Sequence, residues 1–207
     1  MKVLVGCEFS GTVRDAFLKR GHDAISCDLL PSETPGPHYQ GDVRDILNDD
    51  WDLGVFHPPC THLAVSGARW FKKKQNVQKD ALEFVKELMN APIPKIAIEN
   101  PVSIISSRIR KPDQIIQPWM FGHPESKKTC LWLKNLEKLI PTNILHIPES
   151  GRWNNQTKSG QNKLPPSPDR WKERSKTYDG IAEAMAEQWG SPGSSQYQTS
   201  FECFEVV

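Results

Sequence analysis

Short apolar runs alternate with stretches of helical spacing through the first half of the chain, the pattern of a parallel sheet whose strands are buried on both faces. Residues 2–6 are apolar after Lys2 and lead into Cys7-Glu8-Phe9-Ser10-Gly11. Over 12–20, Val13, Ala16 and Phe17 recur at helical spacing, and Gly21 is placed to stop the helix. Ala24-Ile25-Ser26-Cys27 then reads as a second strand with Asp28 at its end. Strand, helix and strand in this order form a βαβ unit, which implies parallel pairing. Residues 31–40 are rich in Pro, Gly and Ser and read as a loop. Gly41-Asp42-Val43 follows, then a short helical stretch and a strand over 53–56. Val77, Ala81, Leu82, Val85, Leu88 and Met89 predict a helix over 77–89 that covers one sheet face, and further strands are expected at 95–98 and 128–133.

From 141 to 175 the composition shifts to Pro, Asn, Gly, Lys and Ser with little periodicity. Long irregular segments in compact domains are usually functional or disordered. Helical spacing returns over 177–189 through Ile181, Ala182, Ala184, Met185 and Trp189. The last stretch, 190–207, reads as a flexible tail, with an edge strand over 201–207 as the other option. No internal repeat is visible. The expected fold class is α/β, Rossmann-like with a mostly parallel sheet, in a single domain over 1–189.

Composition narrows the setting. Of the 207 residues, 37% are hydrophobic and 25% charged, which suits a soluble globular domain with a sizeable core. No apolar stretch is long enough to cross a membrane, so no membrane partner is expected. The start, Met1-Lys2-Val3-Leu4-Val5-Gly6, reads as a strand rather than a signal peptide, and the expected location is cytoplasmic. The five cysteines (Cys7, Cys27, Cys60, Cys130, Cys203) are widely spaced without a CxxC pair. That argues against a disulfide framework or zinc ribbon and for a reducing compartment. A net charge of +1 confines any nucleic-acid surface to a local patch. Arg69-Trp70-Phe71-Lys72-Lys73-Lys74 is the candidate patch, and it reads equally as a solvated loop or helix end.

Candidate chemistry sits at strand ends, where open α/β sheets carry their sites. The strand over 53–56 runs into His57-Pro58-Pro59-Cys60, and the prolines end sheet pairing and stiffen the turn that presents Cys60. A reactive cysteine needs a depressed pKa, which His57, His62 or a nearby helix end could supply; the alternative is a buried structural thiol. His57, Cys60 and His62 lack an evident fourth ligand, so no metal is expected. The strand over 95–98 ends in Glu99-Asn100-Pro101, where a carboxylate is costly unless partnered. A raised pKa would let Glu99 give a proton to a substrate ring nitrogen. At the first βα turn, backbone amides and the helix amino end favour a polar or anionic ligand group, and Gly6 and Gly11 permit close approach. Asp28 is placed either to bind ribose hydroxyls or to form a turn. Asp42 either accepts from an adenine amino group or caps the helix before Arg44.

Taken together, these residues resemble the DNA (cytosine-5) methyltransferase family, especially its short phage-type members. Phe9, Ser10 and Gly11 match the family's D-L-F-x-G cofactor turn, with Cys7 in place of the acid. Asp28 falls where the family has its ribose-binding acid, and Gly41-Asp42-Val43 is similar to its adenine-contacting G-D-I stretch. Pro58-Pro59-Cys60 matches the Pro-Cys nucleophile motif with Thr61 in place of Gln, and Glu99-Asn100-Pro101 matches Glu-Asn-Val except at its last position. Tyr178–Ala184 looks like the helix that completes the cofactor pocket. The Gln-x-Arg-x-Arg motif has no clean counterpart; Arg108 and Arg110 keep an Arg-x-Arg pair, and Lys127-Lys128 is a rival position.

The resemblance implies a methyltransferase form of the Rossmann-like fold that binds S-adenosylmethionine through Phe9, Ser10, Gly11, Asp28, Asp42, Pro59 and Ala182. It implies Cys60 as nucleophile at cytosine C6 and Glu99 as the group that protonates or hydrogen-bonds N3. Asn100, Arg69, Lys72, Lys73, Arg108 and Arg110 would meet the DNA, whose target cytosine leaves the stack in duplex or locally single-stranded form. No large target-recognition domain fits, so 141–175 stands as a minimal recognition segment, with room for a homo-oligomer or protein partner. Other readings are a non-catalytic nucleotide- or DNA-binding module of the same fold, an enzyme acting on free pyrimidine nucleotides, and a protein-interaction factor working through 190–207.

Overall fold

The apolar runs of the sequence become the strands of one sheet. The computed structural model describes residues 1–65, 75–160 and 162–191. Its strands are β1 (Lys2–Gly6), β2 (Asp23–Asp28), β3 (His38–Gln40), β4 (Leu53–Phe56), β5 (Lys95–Pro101), β6 (Gln114–Ile116) and β7 (Thr129–Lys134). They form a seven-stranded sheet in the order β3-β2-β1-β4-β5-β7-β6. β1 to β5 pair in parallel, while β7 runs antiparallel to both β5 and β6. The protein is therefore α/β with a mostly parallel mixed sheet, compatible with a Rossmann-like fold.

Because strand side chains alternate, each central strand feeds two cores. Val3, Val5, Val55 and Ala97 face α1 (Thr12–Lys19) and α5 (Asp179–Gly190), which bring Val13, Phe17, Ile181, Met185 and Trp189. Leu4, Phe56, Ile96 and Ile98 face the other side, where Val85 and Leu88 of α2 (Gln75–Met89) and Trp132 of β7 pack. Two short helices, α3 (Ile105–Arg108) and α4 (Arg170–Ser175), complete the α-helices among the described residues, beside single 3-10 turns at Val43–Asp45 and Pro118–Met120. None of these helices is long and apolar enough to cross a membrane.

Several elements differ from the sequence expectation. β3 lies inside the predicted 31–40 loop, and β6 was not expected; three-residue strands have no visible period. β5 continues through Glu99 and Asn100 to Pro101, because these residues pair with Leu131, Cys130 and Thr129 of β7. The end of the irregular 141–175 segment forms α4. The basic patch with Arg69, Lys72 and Lys73, and the tail beyond Ser191, lie outside the described residues.

The β1–α1 turn is built by charge. Gly11, at φ +77°, lets the chain enter α1 in a left-handed conformation. The Glu8 carboxylate then accepts from the backbone N–H groups of Val13 at 2.7 Å and Arg14 at 3.2 Å, satisfying orphan donors of the first helical turn. Arg14 itself is fully buried. Its guanidinium pairs with Asp15 at 2.8 Å and donates to the hydroxyls of Ser26, Ser32 and Thr34 and to loop carbonyls, including that of Pro37. The loop after β2 is thus wrapped round one arginine. Arg14→Ala leaves these acceptors without their donor and is expected to lower the unfolding free energy by about 3–5 kcal/mol. Urea denaturation measures this; an unchanged midpoint would show that the loop does not depend on Arg14.

Candidate active site at the carboxyl ends of the central strands

Parallel register brings the candidate pair together. Phe56 of β4 lies beside Ile98 of β5, so the next residues, His57 and Glu99, meet at the strand ends. His57 Nδ1 lies 2.8 Å from Glu99 Oε2, and both side chains are about nine-tenths buried, at 8% and 9% exposure. The His57 backbone N–H donates to the Gly6 carbonyl at 2.9 Å, extending the β1–β4 ladder by one step.

Cys60 follows on a turn fixed from two sides. Its carbonyl accepts from the N–H groups of Leu63 and Ala64, and the turn docks on the continuation of β5 through Val65 N–H to Val102 O and Ile104 N–H to Leu63 O. Asn100 is 2% exposed and donates from its side-chain amide to the Pro58 carbonyl at 2.8 Å. Asn100 therefore holds the loop bearing Cys60 through its Nδ2, while its Oδ1 is buried with no partner among the described residues. Pro58 is buried, Pro59 exposed and Cys60 partly exposed.

The electrostatics correct two expectations. Burial opposes charge on Glu99, but the hydrogen bond with His57, the His57 charge and Lys127 outweigh it and hold the carboxyl below its ordinary range. Glu99 is thus an ionised acceptor, not the proton donor a raised pKa would have made it. Burial likewise opposes charge on His57, yet the Glu99 hydrogen bond and the charges of Glu99 and Glu8 raise it. The Cys60 thiol is raised rather than depressed, by burial first and by the Glu99 charge second; Lys127 and Arg174 oppose this. His57 is not among the groups that act on the Cys60 thiol; its hydrogen bond goes to Glu99.

Lys127, just before β7, is a basic residue whose charge acts on both Glu99 and Cys60. Its ammonium donates to the Lys176 carbonyl at 3.1 Å and sits over the Tyr178 ring. Of the expected arginines, Arg108 is exposed at the end of α3. Arg110 pairs with Asp113 at 2.7 Å and donates to the Leu133 carbonyl, opposite Ala97 and away from the strand ends. It lines a groove with Met89, Ile96 and Trp132 that is also remote from the site.

The expected cofactor residues divide into open and occupied groups. Ser10 is 5% exposed; its hydroxyl donates to Glu8 and accepts from the Thr12 N–H. The α1 amino end is filled by Glu8, so it does not stand ready for an anionic ligand. Asp28 is partly exposed at the end of β2 and accepts from the Leu30 N–H at 2.9 Å; burial raises its carboxyl. Asp42 caps the short helical turn at Val43–Asp45 and binds Arg44, which in turn reaches Glu87 of α2. Phe9 is 7% exposed, with its ring 6.0 Å from Trp171 of α4. Ala182 is 1% exposed in the core under α5, so its side chain is not open at the strand ends.

The irregular segment is tied to the site. Asn155 binds the Ser126 backbone through both its amide N–H and its carbonyl oxygen and also donates to Glu125, which accepts the Tyr178 hydroxyl. α4 is drawn over the first turn by the Phe9–Trp171 contact and a 2.9 Å ion pair between Lys176 and Glu33. Among the described residues, no group of three His, Cys, Asp or Glu side chains is arranged to hold a metal ion.

Glu8 and His57 are the residues whose roles sequence reasoning missed. An acid five positions before Val13 was the available signal for the cap. Nothing in the sequence distinguished His57 as a partner for a residue 42 positions away. Compared with known proteins, the chain matches no protein-family model and no curated protein.

The paired shifts set a pH window. The lowered Glu99 contributes stability above its ordinary value of 4.5 that is lost as pH falls through its folded value. The raised His57 contributes below its ordinary value of 6.5 and loses this as pH rises through its folded value. The stability difference between wild type and His57→Asn is expected to be greatest between pH 4.5 and 6.5. Urea titrations across pH check this, and a flat difference would contradict the pairing.

Proposed function

We propose that this protein is an S-adenosylmethionine-dependent methyltransferase acting on C5 of cytosine in DNA. The observation that carries this reading is that Cys60, partly exposed on the turn after β4, feels the charge of Glu99, buried on the neighbouring strand and paired with His57. The mostly parallel sheet with β7 inserted antiparallel between β5 and β6 is compatible with the methyltransferase form of the Rossmann-like architecture. The free thiols Cys7, Cys27, Cys60 and Cys130 support a reducing, cytoplasmic setting.

The residues fit the methyl donor in part. Asp28, partly exposed at the end of β2, suits ribose hydroxyls, and the exposed Pro59 offers apolar surface beyond the β4 end, whereas Phe9 is buried near Trp171. Asp42 would take the adenine amino group only by sharing a carboxylate already bound to Arg44. When bound, S-adenosylmethionine supplies an electrophilic methyl group to a carbon that Cys60 has made electron-rich.

Cytosine C5 is a poor nucleophile until a thiolate adds to C6. Cys60 loses its proton to solvent, and its sulfur forms the bond to C6 while the C5–C6 π electrons move into the ring. N3 takes a proton from solvent, and Glu99, already ionised, accepts the hydrogen bond from that new N–H. Lys127 and Arg174 offset the negative charge that Cys60 carries before attack. After methylation, loss of the C5 proton to solvent, departure of the sulfur with its bonding electrons and return of the N3 proton to solvent restore the ring. The target nucleotide reaches Cys60 only outside the stack. The 141–175 segment, anchored through Asn155, would then supply recognition, and its basic side chains make binding salt-dependent.

Nucleoside mass spectrometry of DNA from a methylation-free bacterial host tests the reading. Expression of the wild type is expected to yield 5-methylcytosine and Cys60→Ala none. Unmodified cytosine from folded wild-type protein would overturn DNA methylation and leave the same fold acting on free pyrimidine nucleotides or binding without turnover.

A further inference from the structure

Glu99 is the group on which the proposed chemistry turns, and what fixes it comes from the neighbouring strand. Its hydrogen-bond partner among the described residues is His57, at 2.8 Å between Nδ1 and Oε2. The arrangement is rigid: His57 is laddered to Gly6 through its backbone, and Glu99 is paired to Leu131 within β5. Two other titratable groups act on this pair from the elements around it, Glu8 from the β1–α1 turn and Lys127 from the approach to β7, and the Glu99 charge in turn raises the thiols of Cys60 on the loop after β4 and Cys130 on β7. Glu8 is bound to the α1 amides and Ser10, and the Lys127 ammonium donates to the Lys176 carbonyl. His57 Nε2 is buried with no partner among the described residues. The imidazole thus spends its one protein hydrogen bond on Glu99, although a buried charge pair is costly to keep unless it is used.

We propose, resting on the cytosine reading above, that His57 is a positioning residue: it binds one oxygen of Glu99 and leaves the other as a fixed acceptor for the amino edge of cytosine. An ionised carboxylate only accepts. Cytosine presents a donor at N4, and a second one at N3 once that nitrogen is protonated; thymine presents the O4 acceptor at the place of the amino group. Facing thymine, the fixed carboxylate oxygen can accept from N3–H but meets the O4 lone pair where cytosine offers N4–H, so a hydrogen bond is exchanged for a repulsion, which is penalised in a buried site. With His57 removed, burial alone acts on Glu99, its carboxyl takes up a proton more readily, and it becomes able to donate to O4. His57 thereby sets both the charge state needed for turnover and the preference for an amino-bearing pyrimidine.

The full chain is tested as wild type, His57→Phe, His57→Asn and Glu99→Gln, with a melting curve for each to separate loss of fold from loss of role. Imidazole NMR is expected to show wild-type His57 protonated above its ordinary midpoint of 6.5, and Glu99→Gln is expected to lower that titration. Oligodeoxycytidylate should shift the His57 resonance, whereas oligodeoxythymidylate should not. In turnover on duplex DNA, His57→Phe is expected to reduce kcat about 100-fold and move its acid limb to higher pH. KM is expected to stay within about twofold. His57→Asn keeps a donor to Glu99 without titrating, and should recover most of kcat at neutral pH. A His57 titration indifferent to Glu99→Gln, equal responses to the two oligonucleotides, or a wild-type pH profile in His57→Phe would each overturn the proposal. A wild type that transfers no methyl group to DNA would sink the methylation reading separately; the NMR response to oligodeoxycytidylate then decides the role of His57 by itself.

Discussion

Burial of charge at the ends of β1, β4 and β5 is the constraint around which this molecule is arranged. Glu8, His57 and Glu99 have almost no access to water, and each must find its compensation in the protein. Glu8 finds it in the amides of α1, which fixes where the helix starts and closes its amino end. His57 and Glu99 find it in each other, which binds β4 to β5 just beyond their parallel ladder. Glu8 and Glu99 both favour the charge on His57, which lies between the first turn and the strand bearing Glu99. Removing His57 or Glu99 would leave the other buried without its partner, and removing Glu8 would leave the first amides of α1 without their acceptor.

The scaffold was legible because its strands are buried on both sides. Val3-Leu4-Val5, Leu53-Gly54-Val55-Phe56 and Ile96-Ala97-Ile98 appear in sequence as unbroken apolar runs, and the structure has them as β1, β4 and β5. Helical spacing likewise revealed α1, α2 and α5. β3 and β6 were hidden because three residues cannot establish a period, and α4 because Arg170-Trp171-Lys172-Glu173-Arg174-Ser175 has no apolar stripe. At the site, Cys60 and Glu99 could be singled out from their place after apolar runs. Their charge states could not, since these depend on partners brought in by pairing across long separations. The Glu99 partner arrives from 42 residues earlier, and the lysine whose charge acts on both Glu99 and Cys60 comes from the segment before β7. Asn100 shows the same limit: its motif position suggested substrate, while its amide is spent on the Pro58 carbonyl.

The irregular segment has a physical logic that composition conceals. It has little apolar periodicity, yet Trp153 is buried and Asn155 replaces strand pairing with hydrogen bonds to the Ser126 backbone. Tyr178 and Lys127 continue this polar seam to the start of α5. The segment is therefore held by side-chain amides, hydroxyls and charges at one end of the sheet. Its last turn, α4, carries Arg174 close enough to favour a Cys60 thiolate.

The antiparallel insertion of β7 also has a bearing on the order in which the protein is made. β5 gains its second neighbour only from residues 129–134, so during synthesis the strand bearing Glu99 is an open edge for some thirty residues of growth beyond Pro101. Unpaired edges of this kind invite the wrong partner. Glu99 and Asn100 place a charged and a polar side chain along that edge, each already engaged by a residue of the earlier β4 loop. The same contacts that shape the site thus also guard a nascent strand: the emerging chain carries its reactive corner tied down well before the cations of its last third arrive to cover it.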